Sequence, residues 1–239
     1  MAHGRAGHGS QSTPENAVTR LAAAVARIGA HEWPVEVPAT VRAFLEGVTD
    51  VTGRRVATGD GTALELDIPV LRDILGTAAR WIEATVRNTS NPTVLDAGYK
   101  HNVIPGTATA LIDCRSLPGQ EAGDELLATI RELAGPGVEV ETVIRDVALE
   151  VPFEGPVVDT MVAALHAEDP EAVVLPYCLS GGTDNKAFSR LGIRGYGFAP
   201  LRLPAGLDFA GMFHGVDERV PLDALRFGVR TFDRFLRTC

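Results

Sequence analysis

The sequence predicts an α/β protein in two parts: a split βαβ (ferredoxin-like) domain with a helical insertion, then part of an open α/β sheet. Three observations carry this. Hydrophobic periodicity up to residue 150 runs strand, helix, insertion, strand, strand, helix, strand, with the first strand leading into His8. Beyond Pro152, helical segments alternate with short apolar runs, as in a sheet with helices on its faces. With 239 residues, 45 % of them hydrophobic, the chain can bury one large core or two small ones. The expected domains are 1–150, with the insertion at about 31–90, and 151–239.

In chain order, Thr13 caps and Pro14 opens a helix in which Val18, Leu21, Val25 and Ile28 recur at helical spacing before Gly29. The insertion holds a helical stretch with Val41, Phe44, Leu45 and Val48, and a turn at Gly59-Asp60-Gly61. A second helical run follows with Leu71, Ile74, Leu75, Ala78 and Ile82. Strands are expected from Pro92 to Tyr99 and from Thr107 to Arg115. In the latter, Ala108, Ala110, Ile112 and Cys114 alternate with a face that Asp113 and Arg115 share. A helix from about Glu121 to Ala134 ends at Gly135-Pro136-Gly137, and Val138, Val140, Thr142 and Ile144 mark a last strand. The second domain reads as a helix at Pro156 to His166, a strand at Ala172 to Tyr177, a helix to Leu191 and a strand at Ile193 to Phe198. Its closing helix puts Leu222, Leu225, Val229, Phe232 and Leu236 on one face.

Composition excludes some functions. A net charge of −9 with dispersed Lys and Arg argues against nucleic acid or an anionic membrane as partner, and favours a small substrate. No apolar run approaches a membrane span, and the N-terminus has no signal-like apolar core, so a cytosolic location is expected. Cys114, Cys178 and Cys239 form no CxxC motif, and their odd number suits a reducing compartment.

Several loops hold chemistry-bearing residues. Gly7-His8-Gly9-Ser10 sets an imidazole between glycines, suited to donate to a developing oxyanion or to be a polar turn. Asn102 lies in His101-Asn102-Val103-Ile104-Pro105-Gly106, between strands, where asparagine also serves simply as a turn residue. Arg115 can clamp a carboxylate with its guanidinium fork, or pair with Asp113 or Asp146. Ser180-Gly181-Gly182-Thr183-Asp184 precedes a helix and can turn backbone N–H groups to a ligand. It lacks the GxSxG elbow of a serine nucleophile. His214, in Gly211-Met212-Phe213-His214-Gly215-Val216-Asp217-Glu218, is either a zinc ligand on an open loop or a surface histidine.

Taken together and in order, these motifs resemble the dinuclear zinc amidohydrolases and metallopeptidases that include aminoacylase, succinyl-diaminopimelate desuccinylase and carboxypeptidases G and S. The resemblance runs through Gly7 to Ser10, Asn16-Ala17-Val18, Asn102 to Gly106, Asp113 to Arg115, Ser180 to Asp184 and His214 to Glu218. It implies a lid domain followed by the C-terminal half of an α/β zinc-hydrolase catalytic domain, and a homodimer made through the lid. By resemblance His8 is catalytic and reaches an active site, often the partner subunit's. Asn102, Arg115, Gly182 and Thr183 bind substrate, with Arg115 on its carboxylate, and His214 is a metal ligand.

The implied substrate is a small molecule or short peptide with a free carboxylate, such as an N-acyl amino acid. The implied cofactor is zinc or another divalent metal, two ions per complete site. The family's other ligands lie in a His-x-Asp motif and further acidic residues, and its general base in a Glu-Glu pair. This sequence contains neither His-x-Asp nor Glu-Glu. The expectation is therefore an N-terminally truncated chain, inactive alone. The competing expectation is a non-catalytic βαβ dimerisation or ligand-binding module.

Overall fold

The computed structural model describes all residues except 60–63 and 120–122. In chain order the elements are β1 (Ala2–His3), β2 (Gly7–His8), α1 (Ala17–Gly29), α2 (Ala39–Thr52), β3 (Ala57–Thr58), β4 (Glu65–Leu66), α3 (Ile68–Leu75) and α4 (Ala79–Glu83). They continue with β5 (Thr89–Ala97), β6 (Val103–Ile104), β7 (Thr107–Arg115), α5 (Asp124–Ala134), α6 (Pro156–Glu168), α7 (Asn185–Ser189) and α8 (Leu222–Thr238). They form two compact units, Met1–Pro34 with Arg87–Ala148, and Val35–Val86 with Leu149–Cys239. Most of the insertion, grouped with the first domain from sequence, thus belongs to the same unit as the C-terminal segment.

The first unit is an antiparallel sheet of order β1-β7-β5 under two helices. Ala108 and Ala110 of β7 join Ala2, Ala17 and Leu21 in one cluster, while Ile112 and Cys114 pack against Ile28, Trp33, Leu126 and Ile130. Alternation thus puts Thr109, Leu111, Asp113 and Arg115 on the other face. Burying each large aliphatic side chain contributes roughly 1.5–3 kcal/mol. Inside, the Trp33 indole N–H donates to Ser90 Oγ at 3.0 Å, and Asn88 Oδ1 accepts from the Leu117 N–H at 2.9 Å. The β2-β6 ladder extends the β1-β7 pairing: Gly7 faces Ile104, His8 faces Val103, and the Gly4 N–H donates to Gly106 O between them. The outer edge of β5 pairs with no described strand, and Val94 and Leu95 on it are exposed.

The cap of α1 is Asn16, not Thr13. Its Oδ1 accepts from the N–H groups of Val18 and Thr19 (2.9 and 3.3 Å), and Pro14 lies outside the helix. The strand expected at 138–144 is absent. Val138 makes one bridge to Ala2, the Glu139 N–H donates to Met1 O, and Val143 and Ile144 then extend into solvent. Among the described residues, the short edge of β1 is what this segment has to pair with. The Gly59-Asp60-Gly61 turn lies partly, and the helix start at Glu121 wholly, outside the described residues.

In the second unit α2, the β3-β4 pair, α3 and α4 enclose Val41, Leu45, Val48, Val56, Leu71, Ala79, Ile82 and Val86. The single helix expected over 71–82 is broken at Gly76, whose φ of +58° is a left-handed value that glycine tolerates. A 3-10 turn at Gly76–Ala78 then redirects the chain into α4. The segments 172–177 and 193–198 form no strand among the described residues. They have the apolar content but no neighbour to pair with: Leu175 packs on the insertion core, and Phe198 lies 6.1 and 5.4 Å from the rings of Phe232 and Phe235.

The apolar stripe of the closing helix is not its buried face. Ala224, Phe227 and Thr231 are buried, whereas Leu222, Leu225, Val229, Phe232 and Leu236 are exposed. Glu168 at the end of α6 explains the choice, since it accepts from Arg230 Nε at 2.7 Å and Arg234 Nε at 2.5 Å. A carboxylate largely withdrawn from water needs such partners, and supplying them turns the adjacent Phe227 and Thr231 inward. No helix among the described residues is long and apolar enough to cross a membrane.

Candidate functional site

His8, Asn102 and Arg115 belong to the first unit, and Gly182, Thr183 and His214 to the second. The structure brings His8 and Asn102 together. Pairing of His8 with Val103 is followed by a hydrogen bond from the Gly9 N–H to Asn102 O at 2.8 Å. A Cβ on Gly9 would stand 3.3 Å from that carbonyl, so the glycine permits the close approach. The Ser10 N–H donates to His8 Nδ1 at 3.3 Å, and the Ser10 hydroxyl lies 2.8 Å from the same nitrogen. With Nδ1 an acceptor, the imidazole proton sits on Nε2, and the ring offers an exposed N–H donor. Beside it, Asn102 Oδ1 is buried without a hydrogen-bond partner among the described residues. Buried acceptors are nearly always paired, so this corner offers one donor and one unfilled acceptor.

Arg115 lies apart from that corner, at the far end of β7. Its Nε and Nη2 donate to Asp113 Oδ1 and Oδ2 at 2.6 and 2.7 Å, a fork-to-fork pair on the open face of the sheet. That hydrogen bond raises the pKa of the guanidinium. Two of its five N–H donors are engaged, which leaves others for a second carboxylate.

In the second unit Gly182 and Thr183 are exposed, and the Thr183 carbonyl accepts from the Lys186 N–H at 3.2 Å as α7 begins. His214 is exposed and is the one non-glycine residue with positive φ (+58°) among those described. Such a conformation costs a non-glycine residue about 1 kcal/mol and persists where surroundings impose it. Its N–H donates to Glu218 Oε2 at 3.1 Å, and Asp217 is ion-paired with Arg219.

These acidic side chains are engaged, and among the described residues no three His, Cys, Asp or Glu side chains converge as a metal site would require. The described residues therefore do not by themselves fit a dinuclear centre. The thiols of Cys114 and Cys178 have their pKa values raised by burial, which suits packing rather than nucleophilic attack.

Sequence reasoning missed the residues around the His214 loop. Trp81 meets Phe213 edge-to-face at 5.3 Å, and Arg80 Nη1 donates to Asp208 Oδ2 at 3.0 Å. An adjacent Arg-Trp pair in a helical run was the only signal, and it names no partner.

A family model described as the peptidase dimerisation domain (M20) matches residues 1–140. The probable carboxypeptidase S-like 2 of Dictyostelium discoideum is 26 % identical over 222 residues, covering 90 % of this chain and 41 % of that protein. The N-fatty-acyl-amino acid synthase/hydrolase PM20D1 of Xenopus tropicalis is 25 % identical over 240 residues, covering 97 % and 45 %. The crystal structure of the M20 family metallo-carboxypeptidase Sso-CP2 from Sulfolobus solfataricus superposes with a TM-score of 0.61 at 15 % identity, over 100 % of this chain and 56 % of that one. The chain thus spans less than half the length of these curated relatives and shares the mixed α/β fold of the carboxypeptidase. Matched over residues 1–140, the chain belongs to the M20 peptidase dimerisation domain family.

Proposed function

We propose that this chain is the lid and C-terminal catalytic portion of a zinc-dependent hydrolase acting on amide or peptide bonds of N-acyl amino acids or small peptides. The observation that carries it is the His8–Asn102 corner, where an exposed Nε2–H donor and an unfilled buried acceptor belong to segments joined by the Gly9–Asn102 hydrogen bond. Nε2–H suits the oxygen of an amide carbonyl as negative charge develops on it. The Asn102 amide suits a polar group of the same substrate, and Arg115 its carboxylate. Gly182 and Thr183 line the cleft in this reading. His214 is a metal ligand, with the remaining ligands and the general base coming from polypeptide outside this chain. The complete site holds two zinc ions in this reading, and the described residues do not by themselves assemble it.

The enzyme is a homodimer in this proposal, supported by the family's description and by the β5 edge that pairs with no described strand. A cytosolic setting is supported by three free cysteines. The domain assignment proposed is a lid over 1–150, whose helical insertion forms one compact unit with the C-terminal segment, and a catalytic portion over 151–239.

A non-catalytic dimerisation or ligand-binding module is favoured by one observation, the lack of converging metal-ligating side chains among the described residues. Zinc titration with an N-acyl amino acid assay separates the two. The chain alone is expected to bind zinc weakly and to turn nothing over. Joined to the metal-ligating segment of a relative, it is expected to hold two zinc ions and hydrolyse the substrate. Tight stoichiometric zinc with turnover by the chain alone overturns the division of ligands, and an inert assembled protein favours the module.

A further inference from the structure

We infer that Trp81 and Arg80, on the helical insertion, are positioning residues that hold the His214 loop; the inference rests on the reading of His214 as a metal ligand. The loop has little structure of its own. Between Leu207 and Gly215 it contains one 3-10 turn, Ala210–Met212, with N–H to carbonyl distances of 3.3 and 3.4 Å for Met212 and Phe213. It nevertheless ends in a histidine held at φ +58°, a conformation that short-range sterics disfavour.

The restraint comes from one face of the insertion. Phe213, next to His214, lies between the rings of Trp81 at 5.3 Å and Phe209 at 5.1 Å, both edge-to-face. Trp81 meets Tyr177 in the same way at 5.7 Å. Arg80 binds Asp208 Oδ2 at 3.0 Å, and Asp208 Oδ1 accepts from the Gly211 N–H at 3.1 Å. Thr77 Oγ1 donates to Leu207 O at 3.3 Å. A Cβ at Gly211 would press on the Asp208 carboxylate and Arg80 Nη1, so the glycine lets the ion pair lie close against the loop backbone.

Thr77 reaches the loop from the 3-10 turn, and Arg80 and Trp81 from one face of α4 directly after it. That face is not the one the core uses, because Ala79, Ile82 and Val86 point into the buried cluster. The contacts thus grip the residues leading to His214, and none of them is to His214 itself. Aromatic edges and a charge-assisted hydrogen bond restrict rotation without reaching the imidazole.

The test is hydrogen exchange on the purified chain, read with the His214 imidazole Hε1 resonance, assigned with His214→Gln. In Trp81→Ala the amides of Met212, Phe213 and Gly215 are expected to exchange about 10-fold faster or more, and the His214 resonance to move toward its random-coil position. Trp81→Phe, which keeps an edge for Phe213, is expected to restore both. Amides of α2 and β7 should not change.

Unchanged exchange and resonance in Trp81→Ala overturns the inference. If Trp81→Ala loosens the whole second unit, Arg80→Met decides: a rise confined to 207–215 supports the inference, and no rise overturns it. None of these readouts requires zinc or turnover, so failure of the proposed hydrolase activity is a separate result.

Discussion

His8 and Arg115 stand at opposite ends of the stretch formed by β6 and β7, His8 against the start of β6 and Arg115 at the end of β7. The ladder partner of His8 is Val103, while Arg115 closes β7, a strand of nine residues. At about 3.3 Å per residue, β7 alone spans roughly 26 Å, farther than an N-acyl amino acid with a short acyl group reaches. One lid therefore does not place both groups on one such substrate, and if both act on it they come from two subunits.

Arg115→Ala in the assembled enzyme should raise KM about 10- to 100-fold for free-acid substrates, the worth of a charged hydrogen bond, and change KM little for the corresponding amides. Steady-state kinetics on matched acid and amide substrates check this. Equal losses on both would show that the pair with Asp113 is the whole role of Arg115.

Glu168 gives a pH-dependent stability. The hydrogen bonds from Arg230 and then Arg234 hold its carboxyl below the usual carboxylate range. Its folded pKa is thus lower than the unfolded value of about 4.3. The stabilisation is present above that unfolded value and is lost as pH falls through the folded one. Glu168→Gln should therefore destabilise the second unit at pH 7 and differ little from the native chain below both pKa values. Urea melts followed between neutral and strongly acidic pH check the convergence.

Asn16→Ala should cost the first unit about 1 kcal/mol, because the Val18 and Thr19 amides lose their cap acceptor. Thr13→Ala should cost less than half of that. Thermal unfolding of both variants separates the two candidate caps.

Legibility followed the range of the forces. The stripe of Leu21, Val25 and Ile28 and the alternation of Ala108, Ala110, Ile112 and Cys114 are local patterns, and α1 and β7 appear where they predict. Asp113 and Arg115 are two apart on a strand, so their shared face was readable. That the fork would close on Asp113 was not, since Asp146 was an equal candidate. The facing of α8 depends on Glu168, about 60 residues away along the chain, and the grip of Trp81 on Phe213 joins segments more distant still. Neither leaves a periodic trace. The apolar runs at 172–177 and 193–198 read as strands from composition alone, but a strand also needs an edge to pair with.

The most direct measurement is the activity of a mixed dimer of the enzyme completed with its metal-ligating segment, assembled from one subunit carrying His8→Ala and one carrying His214→Ala, each inactive as its own homodimer. If His8 serves the partner's site, the subunit without His8 keeps its metal ligand and receives the partner's imidazole. The account predicts recovery of up to about half the native activity per mixed dimer, one working site in a two-fold assembly. No recovery in mixed dimers verified by mass spectrometry would contradict it.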